Sequence, residues 1–289
     1  MRIIHNLDEM TETARGWLAG GSVGFVPTMG YLHEGHITLV QAAHQECEIS
    51  VASIFVNPMQ FEESDILIHY PRDLSRDLQL LGSANVDVVF IPRTEEIYPA
   101  GFSTYVIPSS SLWAIQPTRG IGSRIYNRGV ATIITKLFQL VRPDVAYFGQ
   151  KNAHQVAIIR QLIRDLNIDV SLRILPIVRE SDGLAMGSRN YFLTPAERQA
   201  ASVVYRALLV GKAFIDGDVR DSTEVEKAMK DLLATEPLVI LDYVKVCHPD
   251  TLSALDTIIP GAMLMIAAHI GKVHLVDNII WRGGANWHL

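Results

Sequence analysis

The sequence predicts an α/β chain: a Rossmann-like, doubly wound parallel sheet followed by a smaller C-terminal α+β domain. Three observations carry this reading. Short apolar runs alternate with segments of helical period over residues 1–178. The apolar runs are continuous rather than alternating, as strands covered on both faces by helices require. After Val178 the texture changes to a polar loop with two glycines, then to two helices and three closely spaced strands. Alternating strand and helix winds a parallel sheet through right-handed crossovers. The 289 residues suffice for two domains, 1–178 and 179–289.

In chain order, the buried strands are read at 22–27 ("SVGFVP"), 48–57, 86–92, 144–149 and 170–178. Helices are expected at 35–46, 73–84, 129–141 and 152–166. The last has the clearest stripe, Val156, Ile159, Ile163 and Leu166, with Arg160, Arg164 and Asp165 off it. "RESDGLAMGSRNYF" reads as a loop. Thr194 then supplies an N-cap, Pro195 the first helical position and Glu197 a capping box, starting one helix that runs to about Phe214. A helix at 223–234 and strands near 239–247, 262–269 and 273–280 complete the second domain.

Composition narrows the function. Lys plus Arg number 25 against 31 Asp plus Glu, a net charge of −6 with no long basic run. A nucleic-acid backbone is therefore not the expected partner, and a bound phosphate must be held by a few local cations. Cys47 and Cys247 match no metal spacing and suggest buried thiols in a reducing compartment. The start "MRIIHNLDEM" lacks the order of a signal peptide. The longest apolar run, "AMLMIAAHI", is far short of the roughly 20 residues that span a bilayer. A soluble, cytoplasmic protein without a membrane partner is expected.

Ligands of an open parallel sheet sit outside the carboxyl ends of the strands, where helix N-termini point. "PTMGYLHEGH" (27–36), "NPMQF" (57–61) and "GQKNAHQ" (149–155) fall at that edge, and "MGSRN" (186–190) lies in the loop between the domains. They offer His33, His36, Lys151, Ser188 and Arg189 to anionic groups, and Asn57, Gln60 and Gln155 to a neutral polar ligand. That mixture suits a nucleotide triphosphate beside a small oxygen-rich substrate. For His33 and His36 three readings stand: phosphate donors, zinc ligands, or caps of the turn before the helix. Zinc is disfavoured because His-Glu-Gly-His spaces the rings by three, not the four of the zincin helix.

"PTMGYLHEGH", "SIFVNPMQF", "YPRDLSRDL", "KLFQLVRPDVAYFGQK", "VRESDGLAMGSRNYFLTPAER" and "VDNI" resemble, in order, the pantoate–β-alanine ligase family of adenylate-forming nucleotidyltransferases. The resemblance covers nearly the whole chain. It implies attack of pantoate on the α-phosphorus of ATP, giving pantoyl adenylate and pyrophosphate, then displacement of AMP by β-alanine. It implies Mg2+ dependence and a homodimer. The catalytic set would be His36, His33, Lys151 and Arg189. ATP would lie on Met29, Gly30, His33, His36, Gly149, Gln150, Lys151, Asn152, Val178, Met186, Gly187, Ser188 and Arg189. Pantoate would be gripped by Gln60 and Gln155 beside Asn57, with Pro27, Met29, Val130, Ile133 and Ile134 walling its methyl groups. The metal ligands stay unassigned.

The chain departs from that family's pattern in places. Gln150 and Asn152 stand where the family has acids, so a neutral amide meets the ribose; with Gln155 three residues on, Asn152 also reads as a helix cap. Gly187 replaces a serine. His154 is read as peripheral. The basic stretch 118–130, with Arg119, Arg124 and Arg128, lacks the family's flap motif. A ligase for another small carboxylate and a non-catalytic nucleotide binder are the alternatives.

Overall fold

The structure, a computed structural model, describes residues 1–17, 20–62, 67–109 and 124–289. It divides into two compact units. Among the described residues the first holds Met1–Ser109, residues 124–149 and Ile158–Leu175; the second holds Gln150–Ala157 and Pro176–Leu289. The division between Leu175 and Pro176 falls three residues before the expected 178/179 boundary, and Gln150–Ala157 group with the second unit.

The first unit is a six-stranded sheet in the order β1-β4-β3-β2-β5-β6: Arg2–Ile4, Val88–Phe90, Ile49–Ile54, Val23–Thr28, Val145–Gly149 and Ser171–Leu175. Every pairing is parallel, and the fold class predicted from sequence is the one observed. The chain runs outward from β2 to β3 and β4, then returns to β5 on the other side of β2. The crevice outside the carboxyl ends of β2 and β5 is therefore the topological switch point, where such sheets bind ligands. Around the sheet run α1 (Leu7–Trp17), α2 (Glu34–Glu46), α3 (Leu74–Ser83), the short α4 (Thr94–Ile97), α5 (Arg124–Val141) and most of α6 (Ala153–Asp165). Val26, Val40, Ala52, Leu81, Val89 and Tyr147 form one core between sheet and helices. β1, α1 and α4 were not read from sequence; β1 has three residues, too few to show a pattern. β3 ends at Ile54, short of the expected 57, because Asn57 leaves the ladder to cap the 3-10 turn Pro58–Gln60. α5 begins before the expected 129. Of the basic stretch 118–130, residues 118–123 lie outside the described residues; Arg128 stacks on Tyr105 at 4.8 Å.

In the second unit, β7 (Val239–Cys247), β8 (Met263–Ile270), β9 (Val273–Gly283) and β10 (Asn286–His288) form an antiparallel sheet in the order β10-β9-β8-β7. Alternation gives it two apolar faces. Val244, Val246, Leu264, Ile266, Ile279 and Trp281 pack with α8 (Val203–Asp216) and α9 (Ser222–Leu233). Cys247, Met263, Met265 and Ile280 pack with Ala153 and Ala157 of α6. This second core explains why Gln150–Ala157 group here. The expected capping box at Thr194 is present, with Thr194 N donating to Glu197 Oε2 at 2.8 Å. The single helix expected from it breaks at Ser202 into α7 (Pro195–Ala201) and α8. There the Ser202 hydroxyl donates to Gln199 O at 3.0 Å, a local bond that competes with the helical ladder.

Candidate functional site

The turn after β2 is left-handed at two consecutive residues, Gly30 (φ 78°) and Tyr31 (φ 49°). The N–H groups leaving this turn would be orphaned without an acceptor, and Asp77 of α3 provides it. Asp77 is 1 % exposed and accepts from Tyr31 N and Leu32 N, both at 2.7 Å, while Arg76 donates to Leu32 O at 2.9 Å. Burial pushes the Asp77 carboxyl up, against these N–H groups, which hold it down. A side chain at Gly30 would have to take that backbone conformation and would crowd Asp77 Oδ2 at 3.1 Å.

The clamped turn delivers two histidines to the N-terminus of α2. His33 is the N-cap and accepts from Gly35 N through Nδ1 at 3.2 Å; His36 Nδ1 accepts from His33 N at 3.3 Å. The rings lie 4.1 Å apart. Capping is thus observed, and it does not compete with phosphate donation. A ring that accepts at Nδ1 carries its proton at Nε2, so each imidazole keeps an Nε2–H donor at a helix N-terminus. Among the described residues, neither histidine belongs to a three-residue group that could hold a metal.

After β3, Asn57 is 1 % exposed and fully engaged. Its Nδ2 donates to Gln60 Oε1 at 2.9 Å and Gly129 O at 3.1 Å, and its Oδ1 accepts from Met59 N at 3.2 Å and Tyr98 OH at 2.8 Å. A side chain at Gly129 would overlap the Met59 carbonyl, so glycine permits this close approach of α5. Asn57 therefore positions Gln60: with Oε1 occupied, Gln60 presents the N–H end of its amide. Of the expected apolar wall, Pro27 and Met29 keep exposed surface. Val130, Ile133 and Ile134 are at most 4 % exposed and belong to the core around α5.

After β5 the pattern recurs. Asn152 O accepts from Val156 N, which places Asn152 at the N-cap of α6. Its side chain does not cap; Nδ2 donates to Gln155 Oε1 at 3.4 Å. Gln155, like Gln60, is left with its amide N–H groups as the outward end. Gly149 closes β5. The Gln150 side chain, expected at ATP, is buried and donates to Asn278 Oδ1 at 3.1 Å. His154 is buried rather than peripheral; it lies 3.2 Å from Tyr243 OH, and burial lowers its pKa to about 4.

Lys151 donates to Met186 O at 2.7 Å and Ala185 O at 3.3 Å. Burial lowers its pKa to about 8; Arg179 and Arg189 push it the same way and Asp277 opposes them. A Cβ at Gly187 would meet the flexible end of Lys151, which would have to shift to admit it. Val178 and Met186 are joined by Met186 N donating to Val178 O at 3.0 Å, and Ser188 and Arg189 open the 3-10 turn Ser188–Phe192. Beside them Arg179 forms a bidentate pair with Asp277 at 2.7 and 3.0 Å and stacks on Tyr205 at 4.0 Å.

Asp77, Arg179 and Asp277 were not singled out from sequence. A signal existed for Asp277: an acid within the apolar run "HLVDNIIW" must be paired if that run is a buried strand. Asp77 carries no such mark in "RDLSRDLQLL".

Residues 2–280 match the family model described as Pantoate-beta-alanine ligase. This chain belongs to the pantoate–β-alanine ligase family. Among relatives of that family, a pantothenate synthetase of Chloroflexus aggregans is 47% identical over 279 residues, covering 96% of this chain and 99% of its own. One from Heliobacterium modesticaldum is 45% identical, covering 97% and 99%. The crystal structure of pantothenate synthetase from Thermus thermophilus superposes with a TM-score of 0.90 at 40% identity, covering 96% of this chain and 98% of that one. A pantoate-β-alanine ligase from Francisella tularensis, complexed with β-γ ATP and β-alanine, gives 0.80 at 30% identity, covering 99% and 100%.

Proposed function

We propose that this chain condenses (R)-pantoate with β-alanine at the expense of ATP, giving pantothenate, AMP and pyrophosphate through a pantoyl adenylate. The observation that carries the reading is the donor bias of the residues on the turns after β2, β3 and β5. His33 and His36 each accept a backbone N–H at Nδ1, which places the ring proton at Nε2, and Gln60 and Gln155 each have the amide oxygen occupied by an asparagine three residues earlier. A donor-rich surface suits carboxylate, hydroxyl and phosphate oxygens.

In the first step a pantoate carboxylate oxygen bonds to the α-phosphorus as its bond to the pyrophosphate oxygen breaks. Charge grows on the non-bridging and departing oxygens, where fixed donors are worth most. His36 and His33 donate there, and the Lys151 and Arg189 cations neutralise the phosphates with Ser188 beside them. Gly30, Met29, Gly149, Val178 and Met186 line the nucleotide, and Asn152 accepts from the ribose. Gln60 and Gln155 hold pantoate, with Pro27 and Met29 against its methyl groups. In the second step the β-alanine nitrogen bonds to the acyl carbon and the bond to the AMP oxygen breaks. Mg2+ bound to the nucleotide would add positive charge at the phosphates, held there mainly by phosphate oxygens and water. Among the described residues, the three-residue metal-holding group contains two imidazoles, whereas Mg2+ prefers oxygen ligands and keeps water and phosphate around it.

The family reading extends to a homodimer in the cytoplasm. Supporting the latter, no helix among the described residues is long and apolar enough to cross a membrane, and both cysteines are buried free thiols. The deciding experiment measures pyrophosphate release from ATP with pantoate, with and without β-alanine. Pantoate-dependent release is expected; none with pantoate, or equal release with an unrelated carboxylate, would reject the assignment.

A further inference from the structure

We propose that Asp242, His269 and His274 form a binding site for one divalent transition-metal ion, Zn2+ in the first instance, on the sheet of the second unit. β8 and β9 form a hairpin turning at Gly271 and Lys272, and its register sets His269 directly opposite His274. Opposed residues share a face, and the two rings stand 4.6 Å apart. Asp242 comes from β7, whose register shifts between Leu241 and Tyr243, so Asp242 is the extra residue of a bulge. Strict alternation would send Asp242 and Tyr243 to opposite faces; a bulge re-aims the inserted side chain. Asp242 Oδ2 consequently lies 3.1 Å from His269 Nδ1 and 2.9 Å from His274 Nε2. One donor atom from each of the three residues lies within 4.8 Å of the others.

A second observation points to a ligand. The His274 side chain is only 9% exposed; its Nδ1 has no hydrogen-bond partner among the described residues, and Nε2 faces Asp242 Oδ2 alone, at 2.9 Å. Buried polar atoms are seldom left so. Ligands about 2.0–2.1 Å from a tetrahedral Zn2+ stand about 3.3 Å from one another, so a small opening of the observed triangle admits an ion. Two imidazoles and one carboxylate select borderline metals over Mg2+, which separates this site from MgATP. Asp242 and His269 are partly exposed, which leaves the remaining coordination positions to water. The ion would clamp bulged β7 to the β8–β9 hairpin.

The test titrates the full chain, stripped with a chelator, with ZnCl2 by calorimetry and with CoCl2 by visible absorption. Expected are one equivalent bound, d–d bands of an ordered Co2+ site, and a higher melting temperature with Zn2+. Loss of an outer-shell partner typically costs 10–100-fold in metal affinity, so Asp242→Asn and His269→Gln should each weaken Zn2+ binding by about 100-fold or more. His36→Ala should leave it unchanged. Folding of each variant is checked by circular dichroism, and the two partly exposed positions give independent arms if one fails to fold. Absence of stoichiometric binding, binding unaffected by both substitutions, or binding lost in His36→Ala would each overturn the site.

Discussion

Asn57 with Gln60 and Asn152 with Gln155 make the same contact at the same spacing, one in each unit. In both, the asparagine amide donates to the glutamine oxygen. Their surroundings differ. Asn57 is buried and held by bonds to Gly129, Met59 and Tyr98 as well, whereas Asn152 is exposed and its bond is longer, 3.4 Å against 2.9 Å. The same contrast extends around them. The first unit's histidines are locked by their own backbone and by the turn that Asp77 clamps; the second unit relies on Lys151, held between opposing charges. A contact allowed by spacing becomes rigid only where distant elements close on it. Groups in the first unit are therefore expected to act through geometry, and those in the second through charge.

The largest effect should come from His36→Ala, which removes one fixed donor and should slow adenylate formation by roughly 10²–10³-fold while the protein stays folded. Unchanged pyrophosphate release by the folded variant would take the histidine out of the chemistry. Next, Asn57→Ala strands buried partners and should lower stability by about 1–3 kcal/mol and raise the KM for pantoate, whereas exposed Asn152→Ala should shift stability by less than about 0.5 kcal/mol. Equal losses in urea unfolding would erase the distinction drawn above.

Gln60→Ala and Gln155→Ala should each weaken pantoate binding by about 1–3 kcal/mol with ATP affinity nearly intact. Non-additivity in the double variant is the mark of a shared substrate; equal loss of ATP affinity would show that the roles are wrongly divided.

The charge side of the comparison is tested by pH. Lys151 titrates at about 8 in the free protein. Below that it is the ammonium proposed to bind phosphate; as pH rises through it the proton is lost, so kcat/KM for ATP should fall about tenfold per pH unit above that point. A flat profile to pH 9.5 (roughly the usual limit for such assays, still below an unperturbed lysine) would remove Lys151 from nucleotide binding. The smallest effect concerns the ribose. Asn152→Ala should lower the preference for ATP over 2′,3′-dideoxy-ATP, and Asn152→Asp should keep or strengthen it, because a carboxylate accepts more strongly than an amide. An unchanged ratio would leave Asn152 as an N-cap position alone.

Much of this was legible in the chain because it is local. Periodicity marked five of the six parallel strands, Thr194 and Glu197 announced their capping box, and the histidines, Lys151 and the two glutamines offered for phosphate and pantoate fall on or just beyond the turns after β2, β3 and β5. What sequence could not weigh was burial. Val130, Ile133 and Ile134 looked available to a ligand and are core; Gln150 looked like a nucleotide contact and is bonded to Asn278. Asp77 was invisible because its role is set by residues 46 and 45 positions away.

The sequence by itself determined the sheet, the motifs at its carboxyl edge and the family, since these follow from patterns a few residues long and from their order. The tertiary structure alone decided how firmly the donors are held. That depends on partners far along the chain: Asp77 beneath the Gly30 turn, Gly129 and Tyr98 around Asn57, and a one-residue bulge that carries Asp242 to a pair of histidines from two other strands. Burial and contacts between distant elements are properties of the closed fold, and no local spacing encodes them.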